Sequence, residues 1–262
     1  MLSYQHGFHA GNRADVLKHA VLHSVLTELR SANKSIFYVE THAGRGVYDL
    51  GSEQAVKTGE AAEGVLAMLD APPAPKPLQP WLQTVKTAGP AAYPGSPAIA
   101  ASCLGQTDRM FLFEKHPREY DALYNAFKHD DRIQAKRSDG YGNALKLAPR
   151  RHEQMVVLVD PSYETTRDMD ALAEWAPRAL RRWPDAAMLI WLPLFRDERE
   201  QEFGAYLSEL EAGTIAGARW PVEALSESSL VGSAMVAYRI DKTTGGRITK
   251  IASSLQSYWS NA

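Results

Sequence analysis

Apolar residues recur at helical spacing after Asn12: Leu17, Ala20, Val21, Val25 and Leu29 fall on one face. Asn12 stands where a side chain can cap a first turn, so the spacing predicts a helix over 12–30 with one buried face. The pattern then changes. Ser35-Ile36-Phe37-Tyr38-Val39 is a continuous apolar run rich in aromatic and β-branched residues, and it ends in Glu40-Thr41-His42-Ala43-Gly44-Arg45-Gly46. That order predicts a buried strand running into a glycine loop. Runs of the same kind occur at 110–113, 155–159 and 187–192, with a weaker one at 133–136, and polar, helix-compatible stretches separate them. Strands without polar alternation that are spaced by helices predict a parallel sheet covered on both faces. Near the end, residues 220–225 and 233–240 are strand candidates joined by a link too short for a helical crossover, which predicts an antiparallel pair.

Residues 71–80 hold five of the fifteen prolines and cannot form the interior of a helix or of a central strand. The stretch at about 52–92 therefore predicts a small helical insert, with helices drawn from 59–69 and 81–86. The 262 residues suffice for one large domain, or one domain with an insert, and a sizeable core. With 45% hydrophobic and 23% charged residues, the composition excludes a disordered or collagenous chain. Cys103 is the single cysteine, so no intramolecular disulfide forms, which suits a reducing, cytoplasmic setting. The opening residues lack a basic segment followed by an apolar run, and the longest apolar stretch is 186–195, so neither secretion nor membrane association is expected.

A formal net charge of −2 argues against binding nucleic acid through bulk electrostatics, but not against a local basic lip. The opening segment gathers Arg13, Lys18, His6, His9, His19 and His23 against Asp15 and Glu28. The strongest chemical signal is Asp160-Pro161-Ser162-Tyr163, directly after the run at 155–159, at the strand edge where parallel sheets bind ligands. An exocyclic purine amine has its lone pair delocalised into the ring, and two hydrogen-bond acceptors can hold its protons and favour a tetrahedral nitrogen. Asp160 supplies one acceptor and the Pro161 carbonyl the other, with Tyr163 as a stacking platform. Gly44 and Gly46 allow close approach of backbone to a ligand, but Asp49 stands where a dinucleotide fingerprint wants a third glycine. Glu114 and Asp139-Gly140 follow other strands, where carboxylates can hold the hydroxyls and amine of a nucleoside.

The opening Met-Leu-Ser-Tyr-Gln-His-Gly-Phe-His-Ala-Gly-Asn-Arg-Ala-Asp-Val-Leu-Lys-His closely resembles that of the RlmJ family, bacterial 23S ribosomal RNA adenine-N(6) methyltransferases. Thr41-His42-Ala43-Gly44, Tyr93-Pro94-Gly95-Ser96-Pro97, Glu114, Asp139-Gly140 and Asp160-Pro161 follow the order and spacing of that family. The resemblance implies S-adenosylmethionine as methyl donor with no metal, and 23S rRNA as partner of a monomer. It implies an α/β class I methyltransferase fold, Rossmann-like, with a mostly parallel sheet, an antiparallel C-terminal strand and the small helical insertion. It also implies a single domain over 1–262 with a substrate-side motif at 1–11. By the same resemblance, His19, His42, Ser96, Glu114, Asp139, Gly140 and Asp160 line the cofactor site. Asp160, Pro161 and Tyr163 form the catalytic turn, and Tyr4, His6 and Lys18 lie on the substrate side.

Ser162 departs from the family's Asp-Pro-Pro-Tyr, which leaves both amine acceptors in place and puts the rigidity of the loop in doubt. Two other readings compete. His19 and His23, four apart on a helix, with His42 could hold a metal, though no His-Glu-x-x-His is present. A noncatalytic RNA-binding protein would keep the basic lip but has no use for three strand-end acids.

Overall fold

The computed structural model describes residues 5–32, 34–70, 73–221 and 229–261. A 3-10 turn, His6–Phe8, leads into α1 (Arg13–Ser31), which Asn12 caps by accepting from the Asp15 amide, as its position predicts. There follow β1 (Ser35–Glu40), β2 (Val47–Asp49), α2 (Glu53–Thr58), α3 (Glu60–Glu63), α4 (Val65–Asp70), α5 (Gln79–Ala88) and β3 (Ala92–Pro94). The chain continues through α6 (Ser96–Cys103), β4 (Arg109–Glu114), α7 (Pro117–Phe127), β5 (Ile133–Arg137), α8 (Gly140–Ala144) and β6 (Glu153–Val159). It closes with α9 (Thr166–Arg182), β7 (Ala187–Phe195), α10 (Gln201–Leu210), β8 (Gly213–Arg219), β9 (Leu230–Tyr238) and α11 (Lys242–Ser260).

Seven strands form one sheet in the order β5-β4-β1-β6-β7-β9-β8. The first five are mutually parallel, and β9 runs antiparallel between β7 and β8. This is the mostly parallel sheet with a reversed C-terminal strand that the resemblance implies. Because successive side chains in a strand point to opposite faces, β1 sends Ile36 and Tyr38 into one apolar cluster and Phe37 and Val39 into another. The first cluster holds α1, α6 and α11, and the second holds α9 and α10.

The antiparallel partner of β9 is β8, Gly213–Arg219, and not the expected 220–225. Trp220 lies past the strand end with its ring against Trp259, at 5.3 Å between centroids, and residues 222–225 fall outside the described residues. A bulky aromatic flanking a weak Gly-Thr-Ile-Ala-Gly-Ala-Arg run drew the expectation downstream.

The insert is helical but more broken than its sequence predicts. Glycine at 59 ends α2 in a left-handed conformation, and Gly64 separates α3 from α4. A Cβ at Gly64 would lie 2.1 Å from the Gly11 carbonyl, so only glycine lets the insert sit against the segment before α1. The seam is polar: His9 and Asn12 both bond Glu60, at 2.7 and 2.9 Å, and the Val65 amide donates to the Gly11 carbonyl at 2.8 Å. A two-stranded ribbon, β2 against β3, closes the base of the insert and pairs Tyr48 with Tyr93. The insert thereby fixes the entry to α1, and with it Asp15, Lys18 and His19.

Candidate active site

The sheet reverses its direction of growth at β1, which has β4 on one side and β6 on the other. Loops leave the carboxyl ends of these strands in opposite directions there and open a crevice. Glu40 ends β1 beside Leu158 of β6, and Asp160 follows Val159 at the same edge. Lys18 reaches this edge from α1 and donates to Asp160 Oδ2 at 2.6 Å. Its ammonium also lies 3.0 Å from Asp15 Oδ1 and 5.4 Å from the centre of the Trp191 ring. The Lys18 side chain is 4% exposed and that of Asp160 14%. One oxygen of Asp160 is thus anchored, and Oδ1 accepts no hydrogen bond among the described residues.

Behind this pair lies a buried charge cluster. Asp15 accepts from His6 Nε2 and from the Gly11 amide, each at 2.8 Å. Burial pushes the Asp15 carboxyl upward, but the charges of His6, Lys18 and His19 and the His6 hydrogen bond outweigh it and hold the group well below the usual carboxylate range. His19 is the opposite case: burial, with Lys18 and His6 adding to it, drives its pKa down to about 3 against the pull of Asp15. Its Nδ1 pairs with the Tyr93 hydroxyl at 2.7 Å.

On the other side of the crevice, the loop after β1 is held by its neighbours. The Gly44 amide donates to Glu114 Oε2 at 2.8 Å and the Ala43 amide to the Phe113 carbonyl at 2.9 Å. Burial raises the Glu114 carboxyl above its ordinary value, although the amides of His116 and Gly44 oppose the shift. Asp139 is exposed and caps α8, while Gly140 packs on the β1 loop so closely that a Cβ would lie 2.0 Å from the Thr41 carbonyl. His42 stands between them, edge-on to Tyr141 at 4.9 Å, and burial lowers its pKa. Gly140→Ala must push these two loops apart. Calorimetry should show at least about tenfold weaker S-adenosylmethionine binding, the weight of roughly 1.4 kcal/mol. Unchanged affinity would mean that the loop spacing is immaterial.

A family model described as "Ribosomal RNA large subunit methyltransferase D, RlmJ" matches residues 33–256. The chain belongs to the RlmJ family. The ribosomal RNA large subunit methyltransferase J of Escherichia coli (strain K12) is 35% identical over 219 residues, 82% of this chain and 77% of that protein. Its counterpart in Haemophilus influenzae is 37% identical over 199 residues, 74% of this chain and 71% of that one. A solved structure of a Legionella pneumophila protein superposes with a TM-score of 0.83 at 26% identity, covering 96% of this chain and 94% of its own.

Several residues assigned from resemblance to the RlmJ family sit differently from what an open site lining would show. Tyr163 is 6% exposed, its hydroxyl donates to the Trp191 carbonyl at 2.6 Å and its ring lies edge-on to Trp191. It is a packed wall of the turn, not the open stacking platform expected. Its φ of +50° is a left-handed conformation that a bulky residue adopts only under constraint. His19 is 1% exposed and supports the wall through Tyr93. Pro161 is buried, and Tyr4 lies outside the described residues. The basic lip also changes character: Arg13 is paired with Glu63, His9 with Glu60, His6 with Asp15, and Lys18 with Asp15 and Asp160. Nor do the three histidines of the metal reading converge, since His23 contacts Thr84, His19 Tyr93 and His42 Thr41.

Glu40 escaped the sequence reading. It is fully buried, accepts from the Tyr38 hydroxyl at 2.9 Å and from the Ser96 hydroxyl, and is pushed up to about 8 by burial. Ser96 therefore faces Glu40 in the buried layer beneath the end of β1. Its signal was an acid at the end of an otherwise apolar strand, directly before the glycine loop. In the folded protein Glu40 holds a proton between about pH 4.5 and pH 8 that the unfolded chain releases, so stability falls as pH rises through this window. Glu40→Gln, neutral throughout, should flatten that decline by a few kcal/mol, on the order of 1.4 kcal/mol per pH unit, in urea unfolding at a series of pH values. An unaltered slope would place the proton elsewhere.

Proposed function

We propose that the protein transfers a methyl group from S-adenosylmethionine to the exocyclic N(6) of an adenine in 23S rRNA, acting as a cytoplasmic monomer. The observation that carries this reading is the placement of an anchored carboxylate, Asp160, across one crevice from a loop cradle of Gly44, Glu114 and Gly140. The cradle suits the donor: Glu114 and Asp139 are carboxylates at adjacent strand ends, fit to accept from ribose hydroxyls and an adenine amine, and Gly140 keeps the backbone low beside them. His42, with the buried Ser96–Glu40 pair behind it, would flank its remaining polar groups. When bound, S-adenosylmethionine supplies a methyl group activated by a sulfonium centre.

The chain's own part is alignment and electrostatics. Lys18 fixes Asp160 Oδ2, so Oδ1 is the oxygen presented to the target amine. The Pro161 carbonyl is the second acceptor, and the left-handed Tyr163, tied to Trp191, sets the direction of that turn. With both hydrogens held, the lone pair is directed away from the ring. Asp160 is also placed to receive the proton that the methylated nitrogen gives up. Ser162 forms no hydrogen bond among the described residues, so both acceptors operate without it. His6, on the Asp15 side of Lys18, would meet the RNA.

The test is transfer of labelled methyl to protein-free 23S rRNA, followed by digestion to nucleosides. Label in N(6)-methyladenosine supports the reading. Label in another nucleoside would make the protein a methyltransferase of a different nucleic-acid amine. RNA binding without saturable S-adenosylmethionine binding would leave a noncatalytic RNA-binding protein.

A further inference from the structure

The cations of the opening segment are largely neutralised by acids, so another surface must supply contacts to an extended RNA. At the opposite edge of the sheet, the chain from α8 to β6 runs beside the C-terminal end of α9. The Trp183 indole donates to the Leu147 carbonyl at 3.0 Å, and Arg182 points at the Leu145 carbonyl. Lys146, Arg150, Arg151, Arg178, Arg181 and Arg182 are all exposed there. Among the described residues, Arg151, Arg178, Arg181 and Arg182 form no ion pair, and Lys146 bonds only the neutral Asn143. Three acids adjoin them. Glu153 is already engaged by Arg109 at 2.7 Å, while the carboxylates of Glu174 and Asp185 are exposed and form no ion pair with these arginines among the described residues, so six cations face two free acids.

The ordinary explanation for arginines in a last helical turn is compensation of the helix dipole. Here that work is done by another residue. Arg239 donates to the Leu180 carbonyl at 3.0 Å and to the Trp183 carbonyl, and is itself paired with Glu211 at 3.0 Å. Unpaired like charges at neighbouring positions repel one another, and a chain of net charge −2 concentrates them on this edge.

We infer that this edge is a docking surface for the phosphate backbone of 23S rRNA, separate from the crevice that takes the target adenine. It rests on the rRNA reading above. The surface lies roughly 20 Å from Asp160, the length of seven-residue β6 at about 3.3 Å per residue. A flexible loop bearing the adenine and a second RNA segment can therefore engage the protein at once. Arginines without acid partners suit phosphate oxygens, which position an RNA without reading its sequence.

The test compares the wild type with R151Q/R178Q/R181Q/R182Q in equilibrium binding to protein-free 23S rRNA at several salt concentrations. The variant should bind at least tenfold more weakly at low salt. The slope of log affinity against log salt should become shallower by two or more, at about 0.7–0.9 per lost phosphate contact. S-adenosylmethionine affinity should hold and the unfolding midpoint should change little, because like charges have been removed and, among the described residues, no ion pair is broken and the one hydrogen bond lost, from Arg182 to the Leu145 carbonyl, is long and exposed. The corresponding Arg→Lys variant should restore most of the binding. Unchanged RNA affinity and slope, or weakened binding to anionic lipid vesicles alone, would overturn the proposal. If the variant proves unstable, R151Q alone and R181Q/R182Q must each show a share of the loss, or the proposal fails. The readout is binding, so absent methyl transfer by the wild type would refute the catalytic reading without touching this one.

Discussion

Asp160→Ala is expected to reduce methyl transfer to 23S rRNA by about 10²–10³-fold in single-turnover measurements. The loss removes the carboxylate that Lys18 holds in position at 2.6 Å at the end of β6. Folding should suffer little. Lys18 keeps its contact with Asp15 at 3.0 Å, so no buried cation is stranded, and urea unfolding should show a loss of only about 1–2 kcal/mol. A variant retaining more than a tenth of the wild-type rate would show that the amine is activated by some other group.

Lys18→Met should have the larger effect on stability. Asp15 is fully buried, and its Oδ1 has no well-angled hydrogen bond; its compensation is the Lys18 ammonium. Taking that cation away leaves Asp15 with its histidine neighbours and the Gly11 amide alone and releases Asp160, which should cost about 3–5 kcal/mol in chemical unfolding. Methyl transfer should also fall, because Asp160 loses its anchor. Adding Asp15→Asn removes the buried charge and should return part of the stability but none of the activity. If the double variant recovered activity as well, Lys18 would have only a structural role.

The central parallel strands were legible because they are buried on both faces, so that residues 36–39 and 155–159 read as unbroken apolar runs, whereas the half-exposed edge strand β5 read more weakly. Helix α1 was legible through its spacing and its Asn12 cap, but not its depth: residues 14–22 are buried all round, where one buried face was expected. The ribbon of β2 and β3 was not, since three-residue strands carry no period. Nor was β8, whose small residues have weak strand preference and are held by β9. In the site, the acids at strand ends could be found by their position after apolar runs. The Lys18–Asp160 pair could not, because its members are 142 positions apart and only the packing of α1 on the sheet joins them. The wall role of Tyr163 was hidden for a similar reason: an aromatic in a catalytic turn reads the same whether its face is open or closed by Trp191.

The placement of α1 has a consequence for biosynthesis. Helix α1 packs in one cluster with Ile248, Ile251 and Leu255 of α11, the Ser233 hydroxyl of β9 donates to the Ala14 carbonyl at 3.3 Å, and Arg247 meets Glu28 at 3.1 Å. During synthesis α1 therefore waits for α11, on the order of ten seconds or more at ordinary elongation rates. Until α11 has emerged and packed, Lys18 lacks the complete seat from which α1 holds it against Asp160.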